Sequence, residues 1–404
     1  MAGDIRVVVV GAGIAGVRLV EALRAADFGG SLTVIDADVE LPYDRPPLSK
    51  EFLTGVFDED DVRVWTADRA ADLQVDLRLG TAAVGLDAAR TRLAVRRADG
   101  SADELAYDRL VLATGVVARR PAGLFGHHGV HVLGSLADAR SLRDRLRAGP
   151  GRLVVVGGGF IGGEVAASAA EHGLDVTIVE AGTHLLPGVL TSGLARPLER
   201  LHQAMGVRVL CGTPAARVLG ADTAEAVELA DGTRLPADAV LVGLGGAPET
   251  SWLRHSGLNL SDGIVVDEYL RTSAEDVYAI GDTARWRDGR TGALVRLQHW
   301  ESALRQGAYV ARSLLGADKP YHDVPYIWTD QHGARLQIAG AADGDEVYFA
   351  YGGPEDDAYL ALVRRGPHLA GVIALGGGRE FNRLRRTLAA LPAWESVVAG
   401  VPGS

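Results

Sequence analysis

The chain has 404 residues, 47% of them hydrophobic and 23% charged, and a formal net charge of -11. That length exceeds one ordinary core and predicts two or three domains, while the acidic balance argues against a general affinity for nucleic acid, whose phosphates demand a basic footprint. Its longest apolar runs are strand-sized, well short of the roughly 18 residues of a membrane span, and its only cysteine, Cys211, excludes an internal disulfide framework. MAGDIR leads into the first strand without the basic start and apolar stretch of an export signal, so a cytoplasmic protein is expected.

The first element is IRVVVVGAGIAGVRLVEAL. Residues 7–10 are predicted to form a short buried strand, and Gly11, Gly13 and Gly16 fit G-x-G-x-x-G. Such glycines permit a tight turn, close approach of a pyrophosphate and packing of helix on strand. The helix that follows offers phosphates its free N–H groups and its positive end. SLTVID then supplies a strand ending at Asp36, whose carboxylate can accept hydrogen bonds from a ribose. In LPYDRPPLSKEFLTG (41–55) two prolines restrict the backbone, and Ser49 is predicted to cap a helix starting at Lys50. YDRLVLATG (107–115) is a further strand, ending in Ala113, Thr114 and Gly115.

LVVVGGGFIGGEVAA (153–167) repeats the device. A strand runs into Gly157, Gly158, Gly159 and Gly162, a helix of small residues follows, and LDVTIVE ends at Glu180. Two such elements predict two dinucleotides, a bound flavin and a nicotinamide that comes and goes. Glu180 stands where the 2′-phosphate of NADPH would lie. Like charges about 4 Å apart repel by roughly 4 kcal/mol at an effective dielectric near 20, and the loop AGTHLLPGV has no Arg to offset this, so NADH is expected. Cys211, in VRVLCGT, reads as an inert thiol on a strand. GIVVDEYLRTS supplies a short strand and turn, and DVYAIGDTA a strand ending at Gly281 and Asp282. Asp282 also reads as a helix N-cap, since Thr283 and Ala284 could begin a helix. The histidines, such as His127, His128 and His299, form no spaced ligand cluster, and no metal is expected. In REFNRLRRTLAAL (379–391), Phe381, Leu384, Leu388 and Leu391 make one helical stripe, with Arg379, Arg383 and Arg386 nearly opposite it.

This order of elements resembles the two-dinucleotide-binding flavoproteins, in which the ATG strand closes the FAD half and the GD aspartate hydrogen-bonds FAD. More narrowly, LPYDRPPLSKEFLTG, IWTDQHGARLQIAG (327–340) and REFNRLRRTL resemble the NADH-dependent ferredoxin reductases of the putidaredoxin reductase and aromatic-ring dioxygenase group. The resemblance spans essentially the whole chain. It implies an α/β architecture of two Rossmann-like dinucleotide-binding domains and a C-terminal α+β domain. The FAD domain would comprise residues 1–115 and 245–323, the inserted NAD domain 116–244, and the C-terminal domain 324–404. The implied activity takes hydride from NADH onto FAD and passes single electrons to an iron–sulfur ferredoxin, [2Fe-2S] or similar, that serves a cytochrome P450 or a Rieske oxygenase. The flavin is the converter because nicotinamide does not release electrons singly. A monomer or homodimer is expected.

The same resemblance sets Lys50 beside the flavin ring near Glu164, Arg45 at the FAD pyrophosphate, and Trp300 in the flavin pocket. Lys50, Glu164 and Trp300 are thus the candidate catalytic residues, and Ala15, Val84, Ile161 and Gly245 join the cofactor contacts. The blander readings are a solvated helix end for Lys50, a surface charge for Arg45 and a core tryptophan for Trp300. Three positions depart from the pattern. Ala37 replaces an acid, leaving Asp36 or Asp38 for the adenosine ribose; Gly134 replaces a phosphate-binding Arg; and Gln298 replaces a Glu. FAD is therefore expected to be held less tightly. An NADH oxidase or disulfide reductase of this fold needs a reactive Cys near the flavin, and none lies in the first 210 residues. An NADH-sensing flavoprotein of the apoptosis-inducing type that binds DNA conflicts with the acidic charge. The arginine stripe, with Arg305 and Arg312, reads either as a solvated face or as the docking site of an acidic ferredoxin.

Overall fold

The structure is a computed structural model that describes residues 5–289 and 292–401. In chain order the principal elements of the first half are β1 (Arg6–Val10), α1 (Ile14–Ala25), β2 (Ser31–Ile35), α2 (Glu51–Thr54), β3 (Val75–Arg78), β4 (Thr81–Asp87), β5 (Arg109–Leu112), β6 (Val130–His131), α3 (Leu136–Arg147), β7 (Arg152–Val156), α4 (Phe160–Glu171) and β8 (Asp175–Glu180). There follow α5 (Ser192–Ala204), β9 (Arg208–Cys211), β10 (Ala239–Val242), β11 (Val277–Ala279), α6 (Trp300–Leu314), β12 (Tyr326–Gln331), β13 (Ala334–Gly340), β14 (Glu346–Tyr351), β15 (Tyr359–Arg365), β16 (His368–Leu375), α7 (Arg379–Thr387) and α8 (Trp394–Ala399). Tertiary contacts divide them into two compact units. The first takes in residues up to Asp44, Asp60–Val117 and Gly246–Asp323; the second Arg45–Glu59, Ala118–Gly245 and Val324 onward.

The first unit is built on a parallel sheet of order β11-β5-β1-β2-β3. Val7 to Val10 are almost wholly buried, as expected of a β-branched run at the centre of a sheet covered on both faces. Register does the functional work here. Val10 pairs with both Ile35 and Leu112, so Asp36 and Ala113 flank the turn that begins at Gly11. Helix α1 packs against α6 closely enough that a Cβ on Gly307 would lie 2.4 Å from the carbonyl oxygen of Ala15. Glycine alone permits that approach.

The second unit holds a parallel sheet of the same winding, β9-β8-β7-β10-β6, and an antiparallel sheet, β12-β13-β16-β15-β14. Val156 pairs with Val179 and Val242, which brings Glu180 and Gly243 to either side of Gly157. β12 and β13 are joined through His332 and Gly333, both left-handed (φ +51° and +76°), as a two-residue hairpin turn requires. Helix α7 buries Phe381 and Leu384, and Leu388 is buried in the 3-10 turn that follows. The predicted stripe stops there: Leu391 is left-handed and exposed because the helix has already ended. Among the described residues no helix is long and apolar enough to cross a membrane.

Candidate functional site

In the first unit the glycines divide into two kinds. Gly11 has φ +111°, and a Cβ there would lie 2.3 Å from the Ala113 carbonyl oxygen; at Gly16 it would lie 2.2 Å from that of Gly11. At Gly13 a Cβ would meet nothing within 4 Å. The protein itself forbids side chains at the first and third positions, while the middle one faces open space at the N-terminus of α1. No acidic residue lies in that helix's first turn. This is the cradle a pyrophosphate needs, positive and free of side chains. Asp36 braces it: its Oδ2 accepts the Ala12 N–H at 2.6 Å and its Oδ1 the Asp38 N–H at 2.8 Å. Asp38 accepts the Glu40 N–H and the Tyr43 hydroxyl.

Around the turn, the buried Thr114 hydroxyl has no hydrogen-bond partner among the described residues. Gly281 is left-handed (φ +72°), and a Cβ there would lie 3.2 Å from that of Ala15. Asp282 sits in a single 3-10 turn, Gly281–Thr283, followed by a strand, Ala284–Arg287. The helix expected after it does not form; Asp282 therefore does not serve as an α-helix cap. Val84 lies at a bulge in β4 and is exposed. Trp300 opens α6 and donates its indole N–H to Asp44 Oδ1 at 2.6 Å. Exposed Gln298 donates to the Gly246 carbonyl at 3.4 Å. An orphaned hydroxyl, an open middle glycine and a braced turn together fit FAD.

The second unit repeats the construction. A Cβ at Gly157 (φ +110°) would lie 2.5 Å from the Gly243 carbonyl oxygen, one at Gly162 2.0 Å from that of Gly157, and one at Gly159 would meet nothing. Glu180 accepts the N–H of Gly158 and of Gly182, each at 2.7 Å. Asp36 and Glu180 thus perform the same bracing at equivalent strand ends. Ile161 is exposed just past the turn, and Gly245 is left-handed with open space at its Cβ position. Glu180→Gln combined with Thr183→Arg is expected to narrow the NADH over NADPH preference in kcat/KM by ten-fold or more, since the repulsion estimated at about 4 kcal/mol exceeds the roughly 1.4 kcal/mol of a ten-fold change. A wild-type protein that already prefers NADPH would contradict the charge argument.

Beside this turn, one helical turn into α4, lies Glu164, 5% exposed. Its Oε2 accepts the Ser49 hydroxyl and, at 3.0 Å, the Lys50 ammonium; its Oε1 accepts the Thr329 hydroxyl at 2.7 Å. Pro46–Ser49 forms a 3-10 turn, and Lys50 (φ -127°, ψ -99°) separates it from the four-residue α2. Ser49 is thus not the cap predicted for it. Its hydroxyl is taken by Glu164, and Lys50 stands before the helix, not in its first turn. Ser168 on α4 donates to the Ser49 carbonyl at 2.8 Å, fixing the segment against the helix. The small residues of α4 make room for it. Arg45 is exposed.

Ser49, Thr329 and Gln331 escaped the sequence reading as site residues. One signal was present: Thr329 and Gln331, both polar, occupy the buried alternate positions of β12. Other expectations shift. At the position where the resemblance implies a phosphate-binding Arg, Gly134 precedes a capping box in which Ser135 and Asp138 start α3. Arg305 is ion-paired to Glu301 and, at 3.1 Å, to Asp323, and Arg383 is paired to Glu380, so both are partly neutralised. Cys211 ends β9, half-buried, and burial followed by Glu199 and Glu180 pushes its thiol up to about 11. A raised pKa leaves about one part in a thousand as thiolate at pH 8. Native Cys211 should therefore resist iodoacetamide at pH 8 by mass spectrometry, and rapid stoichiometric alkylation would contradict this. Among the described residues, no three His, Cys, Asp or Glu side chains gather as a metal site.

Two family profiles match the chain: Pyridine nucleotide-disulphide oxidoreductase over residues 5–307, and Reductase C-terminal over 326–397. It is 35% identical to rhodocoxin reductase of Rhodococcus erythropolis over 95% of this chain and 89% of that protein. It is 38% identical to the chlorobenzene dioxygenase ferredoxin reductase component of a Cupriavidus species over 96% and 93%. The crystal structure of a covalent putidaredoxin reductase–putidaredoxin complex superposes with a TM-score of 0.92 at 31% identity, covering 98% of this chain and 96% of that one. The two glycine cradles, their braces and these likenesses over nearly the full length agree: the chain belongs to the pyridine nucleotide–disulphide oxidoreductase family, in its ferredoxin reductase branch.

Proposed function

We propose that this protein is an NADH-dependent ferredoxin reductase, taking hydride from NADH and passing electrons one at a time to a [2Fe-2S] ferredoxin that feeds a cytochrome P450 or a Rieske oxygenase. The observation that carries it is the pairing of two open glycine cradles with one buried Lys50–Glu164 pair beside the second. Residues 1–115 and 245–323 form the FAD domain, 116–244 the NAD domain and 324–404 the C-terminal domain. Gly11, Gly13, Ala15 and Gly16 receive the FAD pyrophosphate, with Arg45 as its counter-charge. Asp36, Val84, Ala113, Thr114, Gly115, Gly281, Asp282 and Trp300 complete the flavin contacts. Gly157, Gly159, Ile161, Gly162, Glu180 and Gly245 hold NADH.

Bound FAD supplies the conversion of a two-electron hydride into single electrons. The chain's own residues do the rest. The N-termini of α1 and α4 present unpaired N–H groups to phosphates. Glu180 fixes the second turn and repels a 2′-phosphate. Glu164 holds the Lys50 ammonium still, and a fixed charge stabilises developing negative charge without reorganising. The half-buried Cys211, with its raised thiol pKa, is unsuited to the thiolate chemistry of a disulfide reductase. With no disulfide to protect, we place the protein in the cytoplasm. The test is a purified, FAD-loaded protein that reduces cytochrome c with NADH only when a [2Fe-2S] ferredoxin is added. Equal rates without any ferredoxin would overturn the proposal.

A further inference from the structure

Behind Glu164 a row of buried side chains runs away from Lys50. Thr329 donates its hydroxyl proton to Glu164 Oε1 at 2.7 Å. Gln331 Nε2 donates to Thr329 Oγ1 at 3.0 Å. Gln331 Oε1 lies 2.7 Å from His202 Nε2, and His202 Nδ1 lies 2.9 Å from His332 Nε2. Thr329 and His202 are fully buried and Gln331 is 1% exposed. The proton count runs in one direction only. Because the Thr329 proton goes to the carboxylate, its oxygen must accept from the Gln331 amide nitrogen. The amide oxygen then faces His202 and requires a proton on Nε2. Neutral His202 is left with Nδ1 as acceptor for the His332 Nε2–H. Every donor points toward Glu164, an arrangement in which each bond polarises the next.

The backbone makes room for this row. A Cβ on Gly163 would lie 2.5–2.7 Å from the amide atoms of Gln331. Inside a helix alanine is otherwise the better residue, so Gly163 serves the side chain seated on it. His332 adopts a left-handed backbone (φ +51°) at the hairpin, where its ring meets that of His202 edge-on at 4.7 Å. Burial outweighs the opposing Gln331 hydrogen bond and, with His332 beside it, holds the His202 imidazole down at about 4, so the neutral form that the row requires prevails near neutral pH.

We infer that His202 and Gln331 are positioning residues that act through Thr329 to fix the Glu164 carboxylate, and with it the Lys50 ammonium, for hydride transfer. The inference rests on the assignment of the Lys50–Glu164 pair to that step. His202 and Gln331 reach Glu164 through Thr329. They restrict where the carboxylate points, and a misplacement near 1 Å can slow a reaction by up to about a hundred-fold.

The test compares His202→Leu, Gln331→Leu and Gly163→Ala with His202→Gln, which can return a donor near the Nε2 position, and with Lys50→Met, all as FAD-loaded protein. In stopped-flow, the first three should lower the limiting rate of flavin reduction roughly ten-fold, inside the range a small misplacement produces. NADH saturation and FAD content should stay near wild type, and His202→Gln should recover most of the rate. An independent readout is the long-range 1H–15N spectrum of the apo protein, in which His202 should be the Nε2–H tautomer. An Nδ1–H tautomer, unchanged rates in the three variants, or no recovery in His202→Gln would overturn the positioning role while a slow Lys50→Met leaves the pair's assignment standing. A Lys50→Met protein reduced at the wild-type rate would overturn the assignment itself, and the inference with it.

Discussion

Lys50→Met is expected to lower the limiting rate of flavin reduction by NADH by about a hundred-fold, the size of loss seen when one preorganised charge-stabilising group is removed. Hydride transfer brings negative charge to its acceptor, and the Lys50 ammonium is held at 3.0 Å from a carboxylate that two other donors, the Ser49 and Thr329 hydroxyls, also fix. Stability should respond as well. Removing one partner of a buried ion pair costs about 3–5 kcal/mol because the other charge is left uncompensated. The Ser49 and Thr329 hydroxyls remain to Glu164, and the Lys50 side chain is 14% exposed, so the lower end of that range is expected here. Glu164→Gln should slow the same step. The double variant should cost much less than the sum of the two singles in rate and in unfolding free energy, as residues acting as one unit do. Strict additivity in both measurements would mean that the two side chains work apart.

Gly16→Ala and Gly162→Ala are expected to abolish different halves of the reaction. The added methyl would lie 2.2 Å from the Gly11 carbonyl oxygen in one variant and 2.0 Å from that of Gly157 in the other. Neither neighbour is a flexible side-chain end. Each clash is with the backbone of a cofactor turn, so relief requires the helix to move off that turn. Gly16→Ala should purify colourless and fail to take up added FAD. Gly162→Ala should remain yellow and resist bleaching by NADH at concentrations that saturate the wild type. Gly13→Ala supplies the contrast, since a methyl there meets no protein atom within 4 Å. Its thermal unfolding without cofactor should match the wild type while its affinity for FAD falls. Stoichiometric FAD in Gly16→Ala, or normal bleaching of Gly162→Ala, would remove the structural basis for the two turns.

What was legible in the sequence was local. The runs around Val7 and Val154, the three-glycine spacings and the acids at Asp36 and Glu180 lie within a few tens of residues of one another, where turn geometry and strand burial dictate residue type. Their bracing role was not legible, because hydrogen bonds from Ala12 and Gly158 depend on how deeply each carboxylate is drawn under its turn. Lys50 and Glu164 are 114 residues apart, and only the likeness of LPYDRPPLSK to a known group brought them together. Nothing in the local pattern shows that Arg45–Glu59 packs with the second unit. The cap assigned to Ser49 failed for a related reason: a tertiary acceptor, Glu164, competed for the hydroxyl and prevailed. In the C-terminal sheet, polar Thr329 and Gln331 on a buried face signalled a network, but their partners lie on α4 and α5, well over a hundred residues away. Arg305 and Arg383 read as open charges in sequence because the acids that pair with them in space cannot be ranked by spacing alone.

In the proposed function electrons enter as a pair from NADH and leave singly to an iron–sulfur protein. The most direct test is an anaerobic titration of the FAD-loaded protein, bleached with one equivalent of NADH, against an oxidised [2Fe-2S] ferredoxin, followed by the visible spectra of both centres. Conservation of electrons predicts two ferredoxins reduced for each NADH consumed, with the yellow colour returning as the second is reduced. A flavin that bleaches with NADH but leaves every ferredoxin tested oxidised would contradict the account.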